Sequence, residues 1–89
     1  MPYQVRTTEH FDKQLSKLDK FTGRTILKWL AKNIEGMSNL RATGKSLVGN
    51  YVGKWRYQVG DYRIICQIED DQLIVLTLEV GHRKKVYKS

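Results

Sequence analysis

Lys54, Arg56 and Arg63 are the residues best suited to chemistry on a phosphate, and their spacing brings them together. The segment Lys54-Trp55-Arg56-Tyr57-Gln58-Val59-Gly60-Asp61-Tyr62-Arg63 reads as a tight β-hairpin. Alternate residues of a strand point to opposite faces, so Lys54, Arg56 and Gln58 share one side and Trp55, Tyr57 and Val59 the other. Gly60-Asp61 suits a two-residue loop, whose backbone needs the positive φ that glycine supplies. That loop sets Val59 opposite Tyr62, Gln58 opposite Arg63, Tyr57 opposite Ile64 and Trp55 opposite Cys66. Opposed residues share a face, so Arg63 joins Lys54 and Arg56. Gathered like charges cost stability, and a polyanion such as RNA relieves that cost. Trp55, Tyr57 and Tyr62 fall on the other face, which assigns them to core packing, with Trp29 at the core edge.

A second basic run, Gly81-His82-Arg83-Lys84-Lys85-Val86-Tyr87-Lys88, follows the last apolar segment. In an antiparallel meander it returns beside the Tyr62 strand. That gathers Lys54, Arg56, Arg63, Arg83 and Tyr87 around one shallow patch. Such a set is chemically sufficient to cut RNA without a metal, using the substrate's 2′-OH as nucleophile. The 2′ proton must be removed, the transition-state charge neutralised and the leaving 5′-oxygen protonated. Arginines clamp phosphate oxygens bidentately and stay charged. Crowding with guanidinium groups lowers the pKa of lysine and tyrosine from ordinary values near ~10 toward the range where proton transfer is effective. The spacing permits catalysis without requiring it. A solvated basic tail beside a basic strand edge is the plainer alternative.

Around these residues the sequence specifies an α+β domain in the order β-α-α-β-β-β. A two-helix hairpin packs on a small, mainly antiparallel sheet. Tyr3–Arg6 reads as a first strand. Thr7 or Thr8 caps a helix with Glu9 and Asp12 in its first turn and Phe11, Leu15 and Leu18 along one side. A second helix is expected to start at Thr22-Gly23, to bury a stripe of Ile26, Leu27, Leu30 and Ile34, and to stop near Gly36. Residues 37–53 have few periodic apolar positions and read as a loop with some extended chain. Strands follow at 54–59, 62–69 and 73–80, the last two joined at Asp70-Asp71. The last strand is apolar on both faces, as for a strand covered on both sides. Without a bulge after Glu69, Ile74, Leu76 and Leu78 share the face of the cations. Either that face is partly apolar or a bulge shifts the register.

The 89 residues amount to a single domain, 1–89, with 40% hydrophobic and 28% charged residues. Net charge is +7, split +4 for residues 1–44 and +3 for 45–89, so clustering must come from the fold and not from a tail. A basic domain of this size meets nucleic acid or an acidic protein. A lone cysteine, Cys66, sits in an apolar run and reads as a buried thiol. With no signal or transmembrane segment in view, a cytoplasmic protein is expected. Gly44-Lys45-Ser46 resembles the end of a P-loop, but the position that needs the earlier glycine holds Asn39. His10, His82 and Cys66 lack metal-ligand spacing, and no nucleophile-elbow motif is present. The expectation is therefore no cofactor and no metal.

The two segments Lys54–Cys66 and Glu79–Tyr87, with the element order and length, closely resemble the RelE branch of the RelE/ParE toxin superfamily. The resemblance implies a toxin of a type II toxin–antitoxin system that enters the ribosomal A site and cleaves mRNA there. It implies roles for Lys54 in proton transfer or transition-state stabilisation, Arg63 on the scissile phosphate, Arg83 at the leaving group and Tyr87 on the base or the 2′-OH. Arg56 stands where relatives often carry a second lysine, and supplies charge. Lys45, Lys84, Lys85 and Lys88 are assigned to the RNA backbone. The implied partners are the ribosome, mRNA and an acidic antitoxin that folds on binding and masks the basic surface. Other readings are a ParE-like toxin that inhibits DNA gyrase, or a non-catalytic antitoxin- or RNA-binding module.

Overall fold

A computed structural model of the chain describes residues 3–37 and 39–82. Its elements are β1 (Gln4–Thr7), α1 (Glu9–Ser16), α2 (Lys20–Asn33), β2 (Lys45–Ser46), β3 (Trp55–Val59), β4 (Tyr62–Glu69) and β5 (Ile74–His82), with two single 3₁₀ turns at Leu40–Ala42 and Gly49–Tyr51. The five strands lie in the order β1-β5-β4-β3-β2. β1 runs parallel to β5 and every other pair is antiparallel. The expected α+β architecture is present, with both helices on one face of the sheet.

Local chemistry sets the helix boundaries. The Thr8 hydroxyl accepts from the Phe11 N–H at 3.2 Å and donates to the Thr77 carbonyl at 2.8 Å, so one side chain caps α1 and ties it to β5. α1 ends at Ser16, leaving Leu18 in the connection, still packed on the core. The second helix begins earlier than its sequence suggests. Asp19 takes the N-cap, accepting from the Thr22 N–H at 3.0 Å, and Gly23 lies inside α2. Asparagine and aspartate cap as well as threonine, and here the aspartate stands first. Its bonds to Thr22 hold the Asp19 carboxyl below the usual carboxylate range. Ile26, Leu30 and Ile34 are buried as expected, whereas Leu27 is 44% exposed, one step round the helix from the stripe.

The core joins these residues to Phe11, Leu40, Tyr57, Ile64, Cys66, Val75 and Val80. Each fully buried side chain of this size contributes about 1.5–3 kcal/mol. The Tyr57 hydroxyl is satisfied by donating to the Leu40 carbonyl at 2.7 Å, and its ring meets Trp29 at 5.5 Å. Burial raises the Tyr57 pKa and pushes the Cys66 thiol up to about 12, which marks that cysteine as packing. The aromatic assignments made from alternation therefore hold.

The β3–β4 hairpin has the expected register at every pair from Val59–Tyr62 to Trp55–Cys66, with Gly60 at φ +61° in the turn. The β4–β5 connection does not follow the expected two-residue loop. It spans Asp70–Leu73, and Leu73 takes the left-handed conformation at φ 57°. Further along, Ile65 pairs with Glu79 and Cys66 with Thr77, leaving Leu78 as one extra residue in β5. The question left by the sequence is thus answered in both senses. Ile74 and Leu76 do share the cationic face, and a bulge at Leu78 then resets the alternation. Val80 turns into the core and Glu79 turns out. The strand is fully covered only on its helix side, where Val75 and Thr77 are buried, while Ile74, Leu76 and Leu78 are half-buried. A side chain from α1 holds the bulge, because Gln14 Oε1 accepts from the Val80 N–H at 2.8 Å.

Candidate functional site

Of the expected cations among the described residues, Lys45, Arg56 and Arg63 lie together on the open sheet face. Arg56 on β3 is diagonal to Arg63 on β4, since Arg56 pairs with Ile65 and Arg63 with Gln58. Diagonal neighbours stand ~7–8 Å apart, a spacing that lets two guanidiniums grip one phosphodiester. Lys45 pairs directly with Arg56 from the other side. β2 is short and has no periodic signal in sequence, so this pairing becomes visible only in the fold. Lys54 stands one residue before β3, its carbonyl accepting from the Leu47 N–H at 3.2 Å. It is half-buried and lines a hollow with Arg41, Ser46, Gly53, Trp55 and Ile68.

The floor of the patch is apolar. Ile65 is fully buried, yet it stands outside the core cluster, between Arg56 and Glu79 on the open face. The Nε atoms of Arg56 and Arg63 are also withdrawn from solvent. Guanidiniums with buried stems lose less side-chain freedom when they meet an anion, and act in a lower dielectric. Beyond Arg63, its partner in β5 is Gly81, and Tyr62 faces His82 in an edge-on ring contact at 5.7 Å. Arg83, Lys84, Lys85, Tyr87 and Lys88, which the sequence assigns to the same patch, lie outside the described residues.

Several contacts fix the segment that carries Lys45 and Lys54. Trp55 Nε1 donates to the Thr43 carbonyl at 2.9 Å, and the Arg41 guanidinium grips the Asp70 carboxylate at 3.1 and 3.3 Å. Tyr3 donates to the same carboxylate at 2.6 Å. Arg41 also lies 6.0 Å from the Trp55 ring centre. The Arg41 and Tyr3 bonds hold the Asp70 carboxyl below its usual range, and the bond to Asp70 raises the Tyr3 pKa. At Gly44, with φ +82°, an added Cβ would stand 2.3 Å from the Arg56 carbonyl, so only glycine lets β2 approach β3 here.

Among the described residues, two hollows touch these cations, of about 180 and 230 Å³. Both are smaller than a small-molecule pocket of ~300–1,000 Å³. Among the described residues no group of three or more His, Cys, Asp or Glu side chains is placed to hold a metal, and no helix is long and apolar enough to cross a membrane. One residue of the face escaped the sequence reading. Glu79 enters the row Glu79–Ile65–Arg56–Lys45 only because of the bulge, for which the chain carries no local signal.

Fold and face together define a small α+β domain with a basic, shallow surface on its open sheet face. Comparison with known proteins makes the class specific. Residues 5–87 match the family model for the ParE toxin of the type II toxin–antitoxin system parDE. The toxin RelG of Mycobacterium tuberculosis is 30% identical over 88 residues, covering 99% of each chain. A chain of the M. tuberculosis toxin–antitoxin complex RelBE2 superposes with a TM-score of 0.81 at 26% identity, covering 93% of both chains. The archaeal RelE–RelB complex from Pyrococcus horikoshii shares the fold, with a TM-score of 0.71 at 22% identity over 97% of this chain and 100% of that one. The chain belongs to the RelE/ParE toxin superfamily of type II toxin–antitoxin systems, as its sequence resemblance implied.

Proposed function

We propose that this chain is a single-domain cytoplasmic toxin that cleaves mRNA in the ribosomal A site without a metal and so arrests translation. The observation that carries the reading is the convergence of Lys45, Arg56 and Arg63 from three adjacent strands over the buried Ile65 floor. An open, cationic, preorganised face suits a phosphodiester strand laid across it. Arg63 and Arg56 take the non-bridging oxygens and neutralise the charge that builds up as the 2′-oxygen attacks. Lys54 adds charge stabilisation at the edge of the patch. Arg83 serves the leaving 5′-oxygen, and Tyr87 orients the base. Lys45, Lys84, Lys85 and Lys88 bind neighbouring phosphates, each adding to a salt-sensitive affinity for rRNA and mRNA.

The reading includes an acidic antitoxin, consistent with the complexes in which the RelBE2 and RelE–RelB structures were determined. A net charge of +7 gives such a partner its attraction. Primer extension on a reporter mRNA in cell-free translation tests the activity, with wild-type protein beside Arg63→Ala and Arg83→Ala. Cuts that need ribosomes and disappear in both variants are expected. Intact mRNA at every dose ends this reading. The match to the ParE model favours one alternative, a toxin that poisons DNA gyrase. Loss of gyrase supercoiling activity at stoichiometric toxin, with translation unaffected, would establish it.

A further inference from the structure

The proposed chemistry needs a group to take the 2′ proton, and a lysine or tyrosine of the patch can do so only once its pKa has been brought well down. Arginine stays charged at any ordinary pH, and lysine and tyrosine have ordinary values near ~10. A carboxylate is ionised at neutral pH and needs no such displacement. The bulge at Leu78 delivers one.

Strict alternation along β5 would turn Glu79 toward the helices and Val80 toward the cations. With Leu78 as the extra residue, Val80 is 2% exposed in the core and Glu79 stands half-buried on the open face. There it pairs with Ile65 and is diagonal to Arg63, whose own partner is Gly81. Arg56 and then Lys45 continue the row beyond Ile65. Among the described residues no hydrogen bond or ion pair engages the Glu79 carboxylate. The other acid on this face of β4, Glu69, accepts from Gln67. Bulges next to active sites commonly re-aim a side chain in this way.

We propose that Glu79 is the general base of this toxin, accepting the proton of the substrate's 2′-hydroxyl. The inference rests on the ribonuclease reading above. As the 2′-oxygen loses its proton to the Glu79 carboxylate, its electron pair forms the new bond to phosphorus. The bond from phosphorus to the 5′-oxygen breaks, and that oxygen keeps the electron pair and takes a proton from water. The products are a 2′,3′-cyclic phosphate and a 5′-hydroxyl, and Glu79 returns its proton to solvent. Arg63 and Arg56 hold the phosphate while the carboxylate works beside them.

The test is single-turnover cleavage of mRNA on programmed ribosomes at saturating toxin, across pH, for wild type, Glu79→Gln, Glu79→Asp and Arg63→Ala. Among the described residues, the charged groups facing Glu79 are Arg63 from β4, Arg56 from β3, Lys45 from β2 and, further along the same face, Arg6 of β1 and Glu69. None is altered in the Glu79 variants. Glu79→Gln should slow cleavage by about 10²–10⁴-fold, the usual contribution of a general base. It should also abolish the rise of rate with pH on the acid side while leaving ribosome affinity and the thermal melt unchanged. Glu79→Asp, which keeps the carboxylate but draws it back by one methylene, should recover part of the rate and the rise with pH. Wild-type cleavage by Glu79→Gln, or slowed cleavage with the pH dependence intact, overturns the assignment. Absence of cleavage by wild type overturns the ribonuclease reading and this inference together, whereas loss in Arg63→Ala alone overturns only the inference.

Discussion

The β3–β4 hairpin and the β4–β5 ladder share a strand but obtain their registers in different ways. The hairpin closes on Gly60-Asp61, and its pairs run without irregularity from Val59–Tyr62 to Trp55–Cys66. The ladder closes on a four-residue turn, Asp70–Leu73, and takes up an extra residue before its far end. A two-residue turn leaves no slack, so alternation propagates outward from it. A longer turn and a longer strand leave the register to whatever packs on it. Here that is α1, with Thr8 bonded to the Thr77 carbonyl and Gln14 to the Val80 N–H. The residues that the hairpin positions could be placed from sequence, and the residue that the bulge positions could not.

Deleting Gln58 breaks the comparison on the hairpin side. With the turn unchanged, Tyr57 moves opposite Arg63 and Arg56 moves opposite Ile64, so a charge enters the core and a fully buried aromatic leaves it. No folded protein is expected, and loss of amide dispersion in NMR spectra checks this. Replacing Gln14 with leucine strikes the other region by leaving the buried Val80 N–H without its acceptor. A loss of about 1–3 kcal/mol in denaturant unfolding is expected. The open face should also be disturbed, seen as slower cleavage in the assay above.

Deleting Leu78 sharpens the contrast. Thr77 and Glu79 then become adjacent, and the pairs Cys66–Thr77 and Ile65–Glu79 survive in a regular ladder. A folded protein is expected, less stable by roughly 1 kcal/mol. A cooperative melt with native near-UV circular dichroism checks it. One deletion in five hairpin pairs should therefore abolish the fold, while one in the neighbouring ladder is tolerated. A failure of the Leu78 deletion to fold would mean that the bulge's curvature, and not only its register, is required.

The smallest effect concerns the clamp at the ladder's turn. The Arg41 and Tyr3 bonds lower the Asp70 pKa, so the stability they contribute is present above the ordinary aspartate value of ~3.9 and is lost as pH falls through the depressed folded value. The raised Tyr3 pKa acts in the opposite direction. Its contribution is complete below ~10 and disappears as pH rises through the elevated folded value. Asp70→Asn should thus lower the melting temperature slightly between these limits. The difference from wild type should vanish in strong acid. Both partners of the Arg41–Asp70 pair are about half exposed, so salt should reduce the effect as well. A melt series over pH and salt reads all three outcomes.

Much of the architecture is written in short-range chemistry. Thr8 caps a helix because its hydroxyl reaches the Phe11 N–H, and Ile26, Leu30 and Ile34 define a buried stripe by their spacing alone. Local reading went astray where two residues compete for one role, as Asp19 and Thr22 do for the start of α2. It also had little to work with in residues 37–53. The extended piece at Lys45–Ser46 is two residues long and owes its place to Gly44, the Trp55 bond to Thr43 and the close approach of β3.

By itself the sequence determined the family, the two-helix hairpin on a sheet, the β3–β4 register and hence the sharing of one face by Arg56 and Arg63. Those features depend on alternation, a tight turn and caps, all of which act over a few residues. Only the tertiary structure decided that β1 runs parallel beside β5, that Lys45 stands opposite Arg56, and that Glu79 faces the cations. Each of these depends on contacts between segments far apart in the chain. For Glu79 the decisive contact is a hydrogen bond from β5 to a glutamine on α1, 66 residues away.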